Sequence, residues 1–218
     1  GCPPCQGFST LVTKNGCYFV DDPRNSLIYE FLRFVEDFMP RAVLMENVPD
    51  LARTTRFRRF RKRLGKLGYK SDYKILDAAD YGVPQRRKRL VLLASLNNEI
   101  AFAHTARAKY TVRHAFQKLS TKQAKSDQLH DTKSKRTDKI QRLIGKVPKN
   151  GGSRKDIKRF RQLRCHANFD GFYDIYGRMS WDDISPTITS GCVNPSKGRF
   201  LHPSKNRPIT LREAALLQ

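Results

Sequence analysis

The sequence has no apolar run approaching the ~20 residues that a membrane-spanning helix needs. It shows no secretory leader either, because it opens directly on a Gly-Cys-Pro-Pro-Cys motif. Cysteine is sparse: five in all, an odd number without disulfide-like spacing, which fits a reducing compartment. Cys2 and Cys5 form a CxxC, but no second pair at matched spacing supplies the other half of a zinc site. Cys17, Cys165 and Cys192 stand singly, with His166 beside Cys165, so no metal is expected. A redox pair would sit where a strand meets a helix, and here nothing precedes the motif to supply the strand. Acidic residues are the largest deficit. There are 20 Asp+Glu against 43 Lys+Arg, a formal net charge of +23. Such self-repulsion calls for a polyanionic partner, nucleic acid first and an anionic membrane surface second. Apolar residues make up 39% of 218 positions, lean but enough for one large or two small domains. No internal repeat is visible.

The first nine residues, Gly1-Cys2-Pro3-Pro4-Cys5-Gln6-Gly7-Phe8-Ser9, organise the rest. Two prolines stiffen the backbone before Cys5, and Gly7 permits a bend after it. A thiol on a stiffened turn is presented for chemistry, whereas most cysteines are simply small core residues. Both readings stand at this point. Residues 10–24 read as a polar loop. From Ser26, apolar residues at Leu27, Ile28, Phe31, Leu32, Phe34, Val35 and Phe38 keep helical spacing until Pro40. Residues 41–45 then form a short apolar run, read as a fully buried parallel strand ending at Glu46-Asn47-Val48-Pro49. Ligands of open α/β sheets sit at such strand ends, so Glu46 is where a catalytic acid would stand, although a carboxylate there is also ordinary.

Residues 53–67 combine Phe57, Phe60, Leu64 and Leu67 with Arg53, Arg56, Arg58, Arg59, Arg61, Lys62, Arg63 and Lys66. This is an amphipathic helix stopped by Gly68, its basic face either solvated or phosphate-contacting. Residues 73–77 and 90–94 read as strands, with a turn at Tyr81-Gly82-Val83-Pro84 and the basic Gln85-Arg86-Arg87-Lys88-Arg89 between them. Strands alternating with helices give an α/β pattern. Beyond Asn97 the apolar content falls, and residues 118–140 predict a mobile basic insertion. Gly151-Gly152-Ser153 marks a loop, after which aromatic residues return at Phe169, Phe172, Tyr173, Tyr176 and Trp181. Thr210 and Glu213 form a capping box that starts a last helix.

Four stretches carry a family signal: Pro3-Pro4-Cys5-Gln6, Glu46-Asn47-Val48, Gln85 to Arg89, and Arg207 to Glu213. Their order, with about 40 residues between each of the first three, resembles the DNA (cytosine-5) methyltransferases of the bacterial single-chain type. The resemblance implies a partial Rossmann-like methyltransferase sheet with helices on both faces. It implies a catalytic part over residues 1–98, a target-recognition region over 99–185 and a return segment over 186–218. It also implies S-adenosylmethionine as methyl donor and double-stranded DNA as substrate. A monomer in the bacterial cytoplasm, close to the nucleoid, follows from the same likeness, as does a possible cognate restriction endonuclease.

By this resemblance Cys5 adds as thiolate to carbon 6 of a cytosine flipped out of the duplex. Glu46 stabilises the charge that reaches ring nitrogen 3, which asks for a raised pKa near a bound base. Arg87 and Arg89 match positions that hold the base carbonyl and orient the acid. Pro4 and Leu27 match what remains of the cofactor contacts. Gln6, Ser9, Asn47 and Thr187 fall on substrate-side positions, with Ser9 opening a loop that closes over DNA. Arg178 is a candidate base reader, since Arg commonly contacts guanine, but a phosphate contact or a structural ion pair fits it equally. The glycine-rich cofactor turn and the final Asn-containing motif of the family do not appear, so an internal fragment, marginally folded and inactive alone, is expected. A DNA-binding remnant without chemistry and a transfer-RNA cytosine methyltransferase homologue are the alternatives.

Overall fold

The computed structural model describes residues 1–4, 26–97, 99–119, 127–130, 136–158, 163 and 174–218. Cys5, Gln6 and Ser9 lie outside them, as do Cys17, Cys165, Phe169 and Tyr173. The chain divides into two compact units, one of residues 1–77 and 88–104, the other of 78–87 and 105–218. Residues 78–87 therefore fold with the second unit, and the return segment shares that unit with the region before it.

In the first unit, α1 (Leu27–Phe38) buries Ile28, Leu32 and Val35, the face its periodicity predicts. Met39 ends it in the left-handed region (φ 41°), its N–H on the Val35 carbonyl, and Pro40 prevents any continuation. β1 (Ala42–Asn47) follows. Then α2 (Thr55–Lys66) begins where the Thr54 hydroxyl accepts from the Phe57 N–H, and buries Phe57, Phe60 and Leu64. Gly68 (φ 90°) closes it, a conformation that would strain a side-chain-bearing residue. β2 (Lys70–Asp77) and β3 (Lys88–Ser95) complete a sheet of order β1-β3-β2.

Both pairings are antiparallel, with Glu46 opposite Val91 and Lys74 opposite Val91 on the other side. The fully buried parallel strand expected for residues 41–45 is thus corrected on two points. β1 pairs antiparallel with β3, and it alternates: Val43 and Met45 are buried while Leu44 is 54% exposed. The reason is one-sided cover. α1 and α2 pack together on the face carrying Val43, Met45, Leu90, Leu92 and Ala94, so only every second residue of β1 meets a core. Of the two helix layers expected, the described residues of this unit show that one.

The second unit holds α3 (Val112–Gln117), α4 (Asp138–Lys146) and α5 (Leu211–Leu216), joined by irregular segments. Two apolar clusters support it. One joins Val112, Phe116, Met179, Phe200 and Ile209, the other Leu143, Ile144, Val147, Tyr176 and Leu201. Part of the insertion expected to be mobile is tied down. Asp127 pairs with Arg212, the Arg212 N–H donates to the Leu129 carbonyl, and the His130 ring lies 3.1 Å from the Thr210 hydroxyl.

Candidate active site

The opening segment runs alongside β1. The Gly1 ammonium donates to the Leu44 carbonyl at 2.6 Å, and the Gly1 carbonyl accepts from the Glu46 N–H at 3.0 Å. Two residues beyond Gly1 and one beyond Glu46, the Asn47 side-chain amide donates to the Pro3 carbonyl at 2.9 Å. The contacts advance in the same direction along both chains, which is a parallel arrangement. Asn47 also accepts from the Val48 N–H at 2.9 Å and is only 5% exposed. Expected on the substrate side, Asn47 is instead a clamp. It fixes Pro3 against the end of β1, and both of its polar ends are occupied.

Glu46 stands on the sheet face away from α1 and α2. Its carboxylate meets the Arg89 guanidinium at 2.7 Å, with side chains 31% and 24% exposed. The register explains the pairing. Glu46 faces Val91 across the β1–β3 ladder, and Arg89 lies two residues back on the same face of β3. The sequence-derived acid and one of its two arginines therefore come together. Arg87, the other arginine, precedes β3 directly, is half-buried, and accepts from the Ala78 N–H through its carbonyl at 3.1 Å. Pro4 and Leu27 are exposed, Leu27 at the start of α1.

In the second unit Thr187 donates its hydroxyl to the Arg86 carbonyl at 2.6 Å. Gln85, quoted in the motif but given no role, is 2% exposed and joins three segments. Its amide nitrogen donates to the Leu217 carbonyl and its oxygen accepts from the Ile188 N–H, both at 3.0 Å. The motif around Arg207 builds a second junction. Arg207 grips Glu213 through two bonds of 2.7 Å, and Glu213 accepts from the Thr210 N–H at 2.8 Å, completing the expected capping box. Burial alone would raise the Glu213 pKa, but the Arg207 guanidinium holds it below the ordinary carboxylate value. His202, buried beside it, accepts from the Ser204 and Lys205 N–H groups at 3.0 Å each. Burial pushes its pKa down to about 4, opposed by the Glu213 charge and assisted by Arg207, Lys205 and Arg178.

Arg178 is a correction. It is 0% exposed, and its guanidinium donates to the carbonyls of Ile144, Val147, His202 and Lys205 and to the Asn206 side chain, at 2.6 to 3.0 Å. Every arm of the fork is occupied inside the fold, so no donor remains for a base edge. Its role is to hold two backbone segments together, the end of α4 and residues 202–206, with burial lowering its pKa from the ordinary value.

A family model described as C-5 cytosine-specific DNA methylase matches residues 1–218. The chain belongs to this family. Among the curated relatives, the Type II methylase M.HgiDII of Herpetosiphon aurantiacus is 35% identical over the whole chain and 63% of its own length. The Type II methyltransferase M1.HphI of Haemophilus parahaemolyticus is 35% identical over the whole chain and 57% of its own, and M1.BsuMI of Bacillus subtilis 32% over 99% and 51%. The chain thus spans roughly half to two thirds of the length of these relatives. Among solved structures, a prophage-encoded Escherichia coli protein assigned as a DNA modification methyltransferase covers the whole chain and 66% of its own at 24% identity, TM-score 0.56. That likeness supports the Rossmann-like methyltransferase fold for this chain.

Proposed function

We propose that this chain supplies the nucleophile, the acid and part of the DNA-facing surface of a DNA cytosine-5 methyltransferase that uses S-adenosylmethionine. One observation carries the reading. The opening Gly1–Pro4 segment and the Glu46-Asn47 strand end, more than 40 residues apart in sequence, are bonded together through Gly1, Pro3 and Asn47. Cys5 follows Pro4 directly. The reading pairs the Cys5 thiol with the Glu46 carboxyl, and its support is that the segment leading to Cys5 is bonded to the strand end that bears that carboxylate.

The chemistry needs this neighbourhood. Carbon 5 of cytosine is a weak nucleophile until something adds to carbon 6. The Cys5 thiolate forms a C–S bond there, and the displaced electron pair moves toward ring nitrogen 3 and the carbonyl. The Glu46 carboxyl meets that charge with a proton or a hydrogen bond, while Arg89 holds the carboxyl in place. Arg87 is assigned to the base carbonyl. Carbon 5 then takes the methyl group, the sulfonium donor leaves as a neutral thioether, a base removes the carbon 5 proton, and the thiolate is expelled. Pro4 and Leu27 are apolar, so they fit as flanks of the donor and not as the groups that orient its charge. Gln6, Ser9 and Thr187 are assigned to the DNA side, where the target base must leave the stack. The Type II names of the relatives support a cognate restriction endonuclease as partner.

Incubating an intact enzyme that carries this chain with S-adenosylmethionine and a duplex holding 5-fluorocytosine at the target tests this. The fluorine cannot leave as a proton does, so a one-to-one covalent complex should accumulate and be seen by mass spectrometry. Cys5→Ser should abolish it, and Cys2→Ser should not. An adduct that survives in Cys5→Ser, or that forms on transfer RNA and not on the duplex, would overturn the assignment.

A further inference from the structure

Helix α2 bears cations well in excess of what its own packing uses. No Asp or Glu occurs between Asp50 and Asp72. Phe57, Phe60 and Leu64 face the core, while Arg58, Arg59, Lys62, Arg63 and Lys66 are exposed along the other side, with Arg53 just before the helix. Like charges stand four residues apart at Arg58 and Lys62, Arg59 and Arg63, and Lys62 and Lys66. Each such pair costs a helix a few tenths of a kcal/mol instead of stabilising it. Relief within the fold is slight. Arg63 pairs with Glu36 and Arg58 donates to the Thr55 hydroxyl. Among the described residues, no carboxylate is paired with Arg59, Lys62 or Lys66.

We infer that the outer face of α2 is a second docking surface, for the phosphate backbone of double-stranded DNA away from the target base. Charge and shape both point to a rod-like polyanion. The 12-residue helix is about 18 Å long, which matches roughly five phosphates along one strand. Its position separates it from the candidate active site. α2 packs on the sheet face with Met45, Leu90 and Leu92, whereas Glu46 and Arg89 occupy the opposite face. Duplex held on α2 is therefore bound through a surface other than the one that meets the extruded base. It retains the protein on DNA without reading sequence. The inference uses no catalytic residue, so failure of the trapping experiment would leave it standing.

The test measures binding of the full chain to a random-sequence 25-base-pair duplex between 50 and 200 mM salt, by fluorescence anisotropy. The comparison is with Arg59→Gln/Lys62→Gln/Lys66→Gln, whose three sites are exposed and outside the core, with circular dichroism as the check on folding. Three lost phosphate contacts make the salt dependence shallower by about 2.7 in log–log slope. Across that fourfold range, affinity of the unaltered protein should fall about 40-fold further than that of the variant. Lys62→Arg/Lys66→Arg keeps the charge and should match the unaltered protein. Acylation footprinting gives the location: duplex should shield Lys62 and Lys66 from an amine-reactive reagent. An unchanged slope in the triple variant, no shielding by DNA, or shielding by phosphatidylserine vesicles in place of DNA would overturn the proposal.

Discussion

Replacing Arg178 separates two accounts of one residue. A base-reading arginine can be exchanged with loss of sequence preference and little loss of stability. The arginine seen here serves buried carbonyls of Ile144, Val147 and His202 besides Lys205 and Asn206. Arg178→Met keeps the apolar stem and removes the fork, leaving the buried carbonyls of Val147 and His202 without donors and Ile144 with only the long bond from the Val147 N–H at 3.3 Å. Each buried orphan costs about 1–3 kcal/mol, partly offset because a desolvated charge disappears with the fork. A net loss of about 3–5 kcal/mol is expected, comparable to breaking a buried ion pair. For a chain of this size that lowers Tm by about 10 °C. Arg178→Lys should recover little, because one ammonium cannot reach acceptors spread around a planar fork. Differential scanning fluorimetry, with methylation mapped on a mixed-sequence DNA, reads both properties. Unchanged melting together with relaxed site preference in Arg178→Lys would refute the buried-hub account.

Other outcomes follow from the same geometry. Asn47→Ala removes the donor to Pro3 and should lower stability by about 1–2 kcal/mol by urea titration, while slowing adduct formation with 5-fluorocytosine by at least about tenfold, since a loosened nucleophile is costly. Arg89→Gln frees Glu46 from a half-exposed pair. Stability should change by under about 1 kcal/mol, while single-turnover methyl transfer by an intact enzyme carrying the chain falls by about 10²-fold as the acid loses its orientation. Acid should weaken the second unit. The His202 pKa is about 4 when folded, against 6.5 as the ordinary value, so the unfolded chain takes up its proton first as pH falls. Its contribution is complete above 6.5 and fades toward 4, a loss of about 2 kcal/mol by pH 5. Glu213, also held below its ordinary value, loses its contribution at still lower pH. His202→Gln keeps an acceptor and removes the titration, so its urea midpoint should vary less between pH 7 and pH 5.

Features set by neighbours in the chain were legible in the sequence. The apolar spacing of α1 and α2, the left-handed stop before Pro40 and the Thr210–Glu213 capping box depend on residues within a few positions of one another. The acid at the end of β1 was legible too, because an apolar run ending in Glu46 reads as a strand end. The direction of pairing was not. Hydrophobic runs are alike in parallel and antiparallel strands, and only the ladder shows β3 lying between β1 and β2. Nor did the alternation at Leu44 show, since the residues of β1 look uniformly apolar until one face proves uncovered.

The misread residues share a cause. Arg178 and Asn47 carry polar groups that chemistry at a DNA site could use, and both spend those groups on backbone acceptors far away in sequence. Residue type states what a side chain can donate; it says nothing of which acceptors a fold leaves in need. Ile144 and Val147 lie at the end of α4, where the last carbonyls of a helix lack the usual partners, and only Ile144 gains one, from the Val147 N–H. The carbonyls of His202 and Lys205 and the side-chain oxygen of Asn206, all on one short segment, converge on the same guanidinium. A buried helix end against such a segment collects acceptors faster than backbone donors can satisfy them. An arginine, with five donors in one plane, is the single side chain able to satisfy them all. Arg178 is required there by the acceptors around it, and a sequence that placed a lysine or a glutamine at that position would leave the same end of α4 unsatisfied.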